Sequence, residues 1–180
     1  MSDIVIGIDP DTKTTAVAVA TKHKLIEVAL ADCVLGEDKF VSQVQSIQRI
    51  LDRLFDRYVD VKEVVVEGQA IRHGSSSPPA DILRLALVAG AAAAFAATMW
   101  SVPPKVSIPQ PHEWKGNTPK PIHQMRTYRA FGLDATQASD YAYPLDSSAL
   151  RAVIGSNALS QAAWKHLGDA AGLALWGARR

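Results

Sequence analysis

Ile4-Val5-Ile6-Gly7-Ile8-Asp9-Pro10-Asp11, and the Thr14-Thr15-Ala16-Val17-Ala18-Val19-Ala20-Thr21 that follows, decide the fold. The first five residues form a short apolar run, which reads as a buried strand. Asp9-Pro10-Asp11 ends it with turn chemistry. Residues 14–21 are rich in Thr, Val and Ala and read as a second strand. Lys22-His23-Lys24 is a polar turn, and Leu25 to Ala31 reads as a third strand. Three strands joined by such short turns predict an antiparallel meander.

Downstream, Val41, Val44, Ile47, Leu51, Leu54 and Tyr58 recur at helical spacing, so Glu37 to Tyr58 is predicted to be an amphipathic helix. Val64-Val65-Val66 reads as a buried strand closed by Glu67-Gly68, and Gly74 to Pro79 as a loop. Leu85 to Trp100 is apolar or small except for Thr98. It falls short of the ~20 residues of a bilayer span. The helix expected around it, Ala80 to Trp100, therefore belongs in a core or an interface. Pro104 to Ile108 is a candidate fifth strand, Pro109 to Pro121 reads as irregular, and Ile122 to Phe131 as helical. Ser160 is a candidate N-cap for a last helix ending near Gly177. This order predicts an α/β fold: a five-stranded mixed sheet, with a three-strand antiparallel meander plus two parallel strands, flanked by helices. No linker or repeat divides the chain, so residues 1–180 are expected to form one domain.

Composition sets limits on function. Hydrophobic residues are 48% and charged residues 21%, an ordinary globular balance. A net charge of +1 excludes a polycation, so a nucleic-acid site must come from local clustering. Ser101 to Phe131 is such a cluster: Lys105, Lys115, Lys120, Arg126 and Arg129 stand against the single acid Glu113. Basic side chains on a Gly- and Pro-containing stretch suit phosphate contacts, with a solvated surface loop as the plain alternative. Trp114 is expected to be a packing anchor. One cysteine, Cys33, rules out an intrachain disulfide and is expected to be a buried, inert thiol. Met1-Ser2-Asp3 shows neither a basic n-region nor a signal-peptide h-region. A cytoplasmic protein without membrane attachment is expected.

Three acids stand out by location. Asp9 ends the first strand, Glu67 ends the fourth, and Asp169 interrupts the apolar last helix. A carboxylate at a strand end is commonly just a cap or turn residue. Beside a core, however, an ionised carboxylate is costly unless it is paired, hydrogen-bonded or bound to metal. Hard oxygen ligands suit Mg²⁺ or Mn²⁺, and such a cluster is what two-metal phosphodiester hydrolysis requires. His166 lies three residues before Asp169, so on a helix the two share a face. A surface histidine is the bland alternative.

Three stretches resemble the RuvC-type Holliday junction resolvases of the RNase H-like superfamily. Ile6–Val19, IGIDPDTKTTAVAV, looks like their first motif. Val64–Gln69, VVVEGQ, is similar to their fourth-strand motif. His166–Ala178, HLGDAAGLALWGA, resembles their last motif. The resemblance implies an RNase H-like fold and a metal-dependent endonuclease acting on four-way or other branched DNA as a homodimer. It implies Asp9, Glu67, His166 and Asp169 as the catalytic and metal-binding residues, with two Mg²⁺ or Mn²⁺ ions per site. Lys120 falls where the resolvases carry a basic residue beside the active site. Lys115, Lys120, Arg126 and Arg72 are the candidate DNA contacts. A two-fold dimer would use the Ala80 to Trp100 helix, with Ala93 in the interface.

Two departures stand beside these likenesses. Asp11 occupies a position where the family usually has Gly, and reads as a turn residue or as an extra carboxylate. After Glu67 the family often carries an aromatic wedge, whereas this chain has Gln69-Ala70-Ile71-Arg72-His73. Pro111–Lys120, PHEWKGNTPK, is closer to phage-type relatives. Another RNase H-like nuclease, of flap or exonuclease type, is the enzymatic alternative, but it often carries Asp-x-Glu in the first strand. An actin-like ATP binder needs two duplicated domains, for which 180 residues are too few. A non-catalytic junction-binding protein would be expected to lose a carboxylate, and all three are present.

Overall fold

A computed structural model describes residues 3–32, 38–69, 78–132 and 161–180. Cys33, most of the 70–79 loop with Ile71 and Arg72, and Ser160 lie outside the described residues. Within them are five strands: β1 (Ile4–Asp9), β2 (Thr14–Ala20), β3 (Leu25–Asp32), β4 (Val61–Val66) and β5 (Lys105–Ser107). The helices are α1 (Lys39–Arg57), α2 (Pro79–Met99), α3 (Pro111–Lys115), α4 (Lys120–Ala130) and α5 (Gln161–Ala178).

The strands form one sheet in the order β3-β2-β1-β4-β5. β1 pairs antiparallel with β2, and β2 with β3, which is the expected meander. β1 pairs parallel with β4, and β4 with β5. Most boundaries lie within two residues of the sequence reading, and two differences are larger. β4 begins three residues early, because the charged Glu63 is buried in it and held by Lys105 Nζ and Ser107 Oγ of β5. The stretch 109–121 is largely helical instead of irregular. Pro111 and Pro121 sit in the first turns of α3 and α4, where a missing N–H costs nothing.

Alternation along the strands splits the core into two layers. Ile6, Ile8, Val17, Val19, Val64 and Val66 face α1 and α2. Asp38 caps α1 by accepting from the N–H groups of Phe40 and Val41, and Ile47, Leu51 and Leu54 bury its apolar stripe. Ala16, Ala18 and Ala20 face the opposite layer, with Tyr128 of α4 and Leu167, Ala170, Ala171 and Ala174 of α5. The small residues on that side bring α5 very close to the sheet. A Cβ built at Gly7 would lie 2.1 Å from the Ala170 carbonyl oxygen, so only glycine fits.

α2 differs from its expected burial. Val88, Ala89, Ala92, Ala93 and Ala96 pack inward, so Ala93 belongs to this chain's own core and not to an interface. Leu83 and Leu87 are 62% and 50% exposed, and Gly90, Ala94 and Ala97 continue that open stripe. At 21 residues and a mean hydropathy of 1.9, α2 is also long and apolar enough to cross a membrane, a criterion that core helices share.

Candidate active site

Strand parity places the first two acids. In β1 the residues Val5, Gly7 and Asp9 alternate with Ile6 and Ile8 and so face α5. In β4, Val65 faces α5 too, and Glu67 follows it two residues on. Ile8 pairs with Val66, and the Glu67 N–H donates to the Ile8 carbonyl at 2.9 Å. Asp9 and Glu67 therefore leave adjacent parallel strands at the same level. Asp169 comes to them from α5 across the Gly7 gap. Asp9, Glu67 and Asp169 are 4%, 8% and 2% exposed.

With His166 these three carboxylates line one open cleft of about 320 Å³, and Lys115 and Lys120 line it as well. All four predicted catalytic residues are thus brought together. Of the predicted DNA contacts, Lys115 and Lys120 reach the cleft. Arg126 is exposed on α4 and lies outside its lining.

Each carboxylate meets a different cation of the chain. Lys115 Nζ lies 3.2 Å from Glu67 Oε1. Lys120 Nζ pairs with Asp169 Oδ2. His166 Nδ1 is 2.8 Å from Asp9 Oδ2, and its Nε2 is 3.3 Å from Asp11 Oδ2. Asp11 therefore serves as both turn residue and site neighbour. Its Oδ1 accepts from the Thr12 N–H at 2.6 Å, while its Oδ2 holds the imidazole.

The electrostatics follow from crowding. Burial pushes the Asp9 carboxyl up to about 7, with Asp169 and Glu67 adding repulsion against the pull of His166. Hydrogen bonds to Asp11 and then Asp9 push His166 up to about 10, so it is an imidazolium at neutral pH. The same contact with His166 lowers Asp11. Burial works against the Lys120 ammonium, but Asp169, then Asp9 and Glu67, outweigh it and raise its pKa.

The donor set fits a hard divalent cation. Three carboxylates converge, and burial, then repulsion from Asp169 and Glu67, favours the protonated form of Asp9 until positive charge is brought close. In this arrangement the lysines and the imidazolium supply that charge. Among the described residues, no three His, Cys, Asp or Glu side chains form a ready-made cage.

Two residues in this layer were not legible as functional in the sequence. The Trp114 indole N–H donates to Glu67 Oε1 at 3.2 Å, so the expected packing anchor also carries a polar contact to the site. Gln124 Nε2 donates to Asp169 Oδ1 at 2.8 Å. Nothing in their spacing marks either one.

No protein-family model matches the sequence, and no curated protein does. Solved structures match through the fold. A Thermus thermophilus RuvC in complex with Holliday junction substrate superposes with a TM-score of 0.56 at 16% identity, covering 96% of this chain and 90% of that one. A second Thermus thermophilus RuvC structure gives 0.53 at 18% identity, covering 96% and 92%. The chain has the RuvC fold. The superposition extends over nearly all of both chains, and the meander and two parallel strands expected from the sequence form the five-stranded mixed sheet of this RNase H-like arrangement.

Proposed function

We propose that this chain is a divalent-metal-dependent endonuclease that cuts branched DNA, with the four-way junction as its preferred substrate. The observation that supports this most is the meeting of Asp9, Glu67 and Asp169, from three separate elements, with His166 in one basic-walled cleft. The likeness in fold to a RuvC in complex with Holliday junction substrate supports branched DNA as the substrate class.

Asp9, Glu67, Asp169 and His166 would hold Mg²⁺ or Mn²⁺, two ions per site. When bound, such ions lower the pKa of an attacking water and stabilise the leaving oxygen. Lys115 and Lys120 then exchange their carboxylate partners for the phosphate, which they position by charge without reading sequence. Once it has lost one proton, His166 would keep Nε2–H on Asp11 and have a single lone pair, on Nδ1, which would serve either as the metal ligand or as the acceptor of a proton from the attacking water. The cleft is open, which suits a duplex backbone better than an enclosed small molecule.

Symmetric cutting of a junction calls for a two-fold dimer. The open stripe of Leu83, Leu87, Gly90, Ala94 and Ala97 recurs at helical spacing along α2 and is the proposed interface. Residues 1–180 act as one nuclease domain in the cytoplasm.

The test is a cleavage assay on four-way, flap and linear duplex DNA with Mg²⁺ or with EDTA. Metal-dependent paired cuts in the four-way junction are expected. Asp9→Asn, Glu67→Gln and Asp169→Asn should each lower the rate on the order of a thousand-fold while retaining junction binding. Equal cutting of all three substrates, or near wild-type cutting by any of these variants, overturns the reading.

A further inference from the structure

We infer that Trp114 and Gln124 are positioning residues: their N–H groups hold Glu67 and Asp169 in the orientations that a divalent cation requires. The inference rests on the metal-dependent reading of the cleft. It adds two side chains that never touch the cation or the phosphate but act through the carboxylates they hold.

Gln124 is buried, at 2% exposure. Its Nε2 donates to Asp169 Oδ1 and to the Lys165 carbonyl, each at 2.8 Å. Both partners are acceptors, so the amide can face them only with its nitrogen. That choice leaves Oε1 buried with no partner among the described residues. A buried orphan acceptor is costly, because its lost hydration is not replaced. An apolar side chain would leave no such orphan, so packing does not account for an amide at this position. Its contact with Asp169 does. Because Oδ1 is engaged, Oδ2 is left on the side of Lys120.

Trp114 is the counterpart for Glu67. Its indole N–H reaches Oε1 at 3.2 Å, alongside Lys115 Nζ. The ring is set edge-on against His123, with centroids 4.8 Å apart. Both braces are seated by α5. Gly168 and Gly172 are four residues apart and so share a face. A Cβ at Gly168 would meet Tyr128 Oη at 2.8 Å and Gln124 Cδ at 3.1 Å. One at Gly172 would meet Trp114 Cζ3 at 2.7 Å and His123 Cε1 at 2.8 Å. The helix that carries Asp169 thus has a two-glycine groove in which both braces lie. A carboxylate held through its outer oxygen presents the other without loss of rotamer freedom on binding, the usual service of a hydrogen-bonding partner behind a metal ligand.

The experiment measures Mn²⁺ binding to the purified full chain without DNA, by calorimetric titration, for wild type, Gln124→Met and Trp114→Phe. Each variant removes the N–H donor and leaves an apolar side chain, smaller than the indole for Phe and close to the volume of Gln for Met. A 10- to 100-fold loss of Mn²⁺ affinity is expected in each. Junction binding in EDTA should be unchanged, and cleavage should recover in large part at saturating Mn²⁺. A merely structural role would instead lower Tm and leave Mn²⁺ affinity intact. If Gln124→Met does not fold, Trp114→Phe carries the test. Wild-type affinity in the folded variants overturns the inference alone. No Mn²⁺ binding by wild type overturns the metal reading of the cleft, and this inference with it.

Discussion

Asp11 and His166 are ion-paired, Oδ2 to Nε2 at 3.3 Å. The pattern of the resembling resolvases has Gly at the first of these positions and an acid or His at the second, so the carboxylate of Asp11 is the departure here. An acid at 166 would face Asp9 and Asp11 together. His166→Asp alone is therefore expected to cut poorly, and Asp11→Gly with His166→Asp to recover. The coupling should be about 1 kcal/mol or more, about fivefold in rate. Additive effects in a double-mutant cycle of cleavage rates would break the link between the two residues.

The metal-free protein should lose stability as pH rises from 5 to 9. Asp9 is raised from 3.8 to about 7, so its favourable proton is present below 3.8 and lost through 7. His166 is raised from 6.5 to about 10, so the stability of its charged form is full below 6.5 and lost toward 10. Both act in the same direction within this window. Asp11 is lowered, and its contribution fails only in acid, below the window. Thermal melts in EDTA at several pH values check this, and Asp9→Asn should flatten the lower half of the slope. A Tm that climbs from pH 5 to 9 would contradict it.

Lys120→Ala should weaken junction binding about equally for all sequences and reduce the salt slope by about 1, as expected for one phosphate contact. Arg126→Ala, on the outer face of α4, should leave cleavage of a minimal junction unaltered and affect only longer arms. Filter binding across a salt series separates the two. An unchanged slope for Lys120→Ala would remove it from the DNA contact surface.

Leu87→Arg should split the proposed dimer, weakening association by about 30-fold or more, as for a residue at an interface centre. Ala93→Arg, by contrast, should unfold the chain, because Ala93 lies in the core against α1. Sedimentation velocity with circular dichroism distinguishes dissociation from unfolding. A wild-type monomer at micromolar concentration would leave the α2 stripe without this role.

The strands and the four cleft residues were legible because their signals are local. Each carboxylate follows or interrupts an apolar run, and periodicity of two or 3.6 survives in short windows. What escaped depends on distant partners. Glu63 lies just before the strand read at Val64, and only Lys105 and Ser107 of β5, which hold its charge, bring it into β4. Gln124 and Trp114 are ordinary residues in a proline-flanked stretch, and only their distant partners, Asp169 of α5 and Glu67 after β4, give them meaning. The prolines themselves misled, since Pro in a first helical turn starts a helix as readily as it interrupts one. For α2, composition revealed its apolar surface but not which side the core would take.

The sheet cannot close one of its faces until α5 arrives, and α5 also brings Asp169. A ribosome exposes Asp9 first, and Glu67 still roughly a hundred residues, several seconds of synthesis, before Asp169. During that interval the nascent chain has two acids but neither the third nor the helix that presses them into a cleft. On the proposed reading, an unfinished chain is unarmed. If the chain is the proposed nuclease, order of synthesis acts as a safety catch on it, and chains truncated before residue 161 are expected to bind no Mn²⁺ and cut nothing.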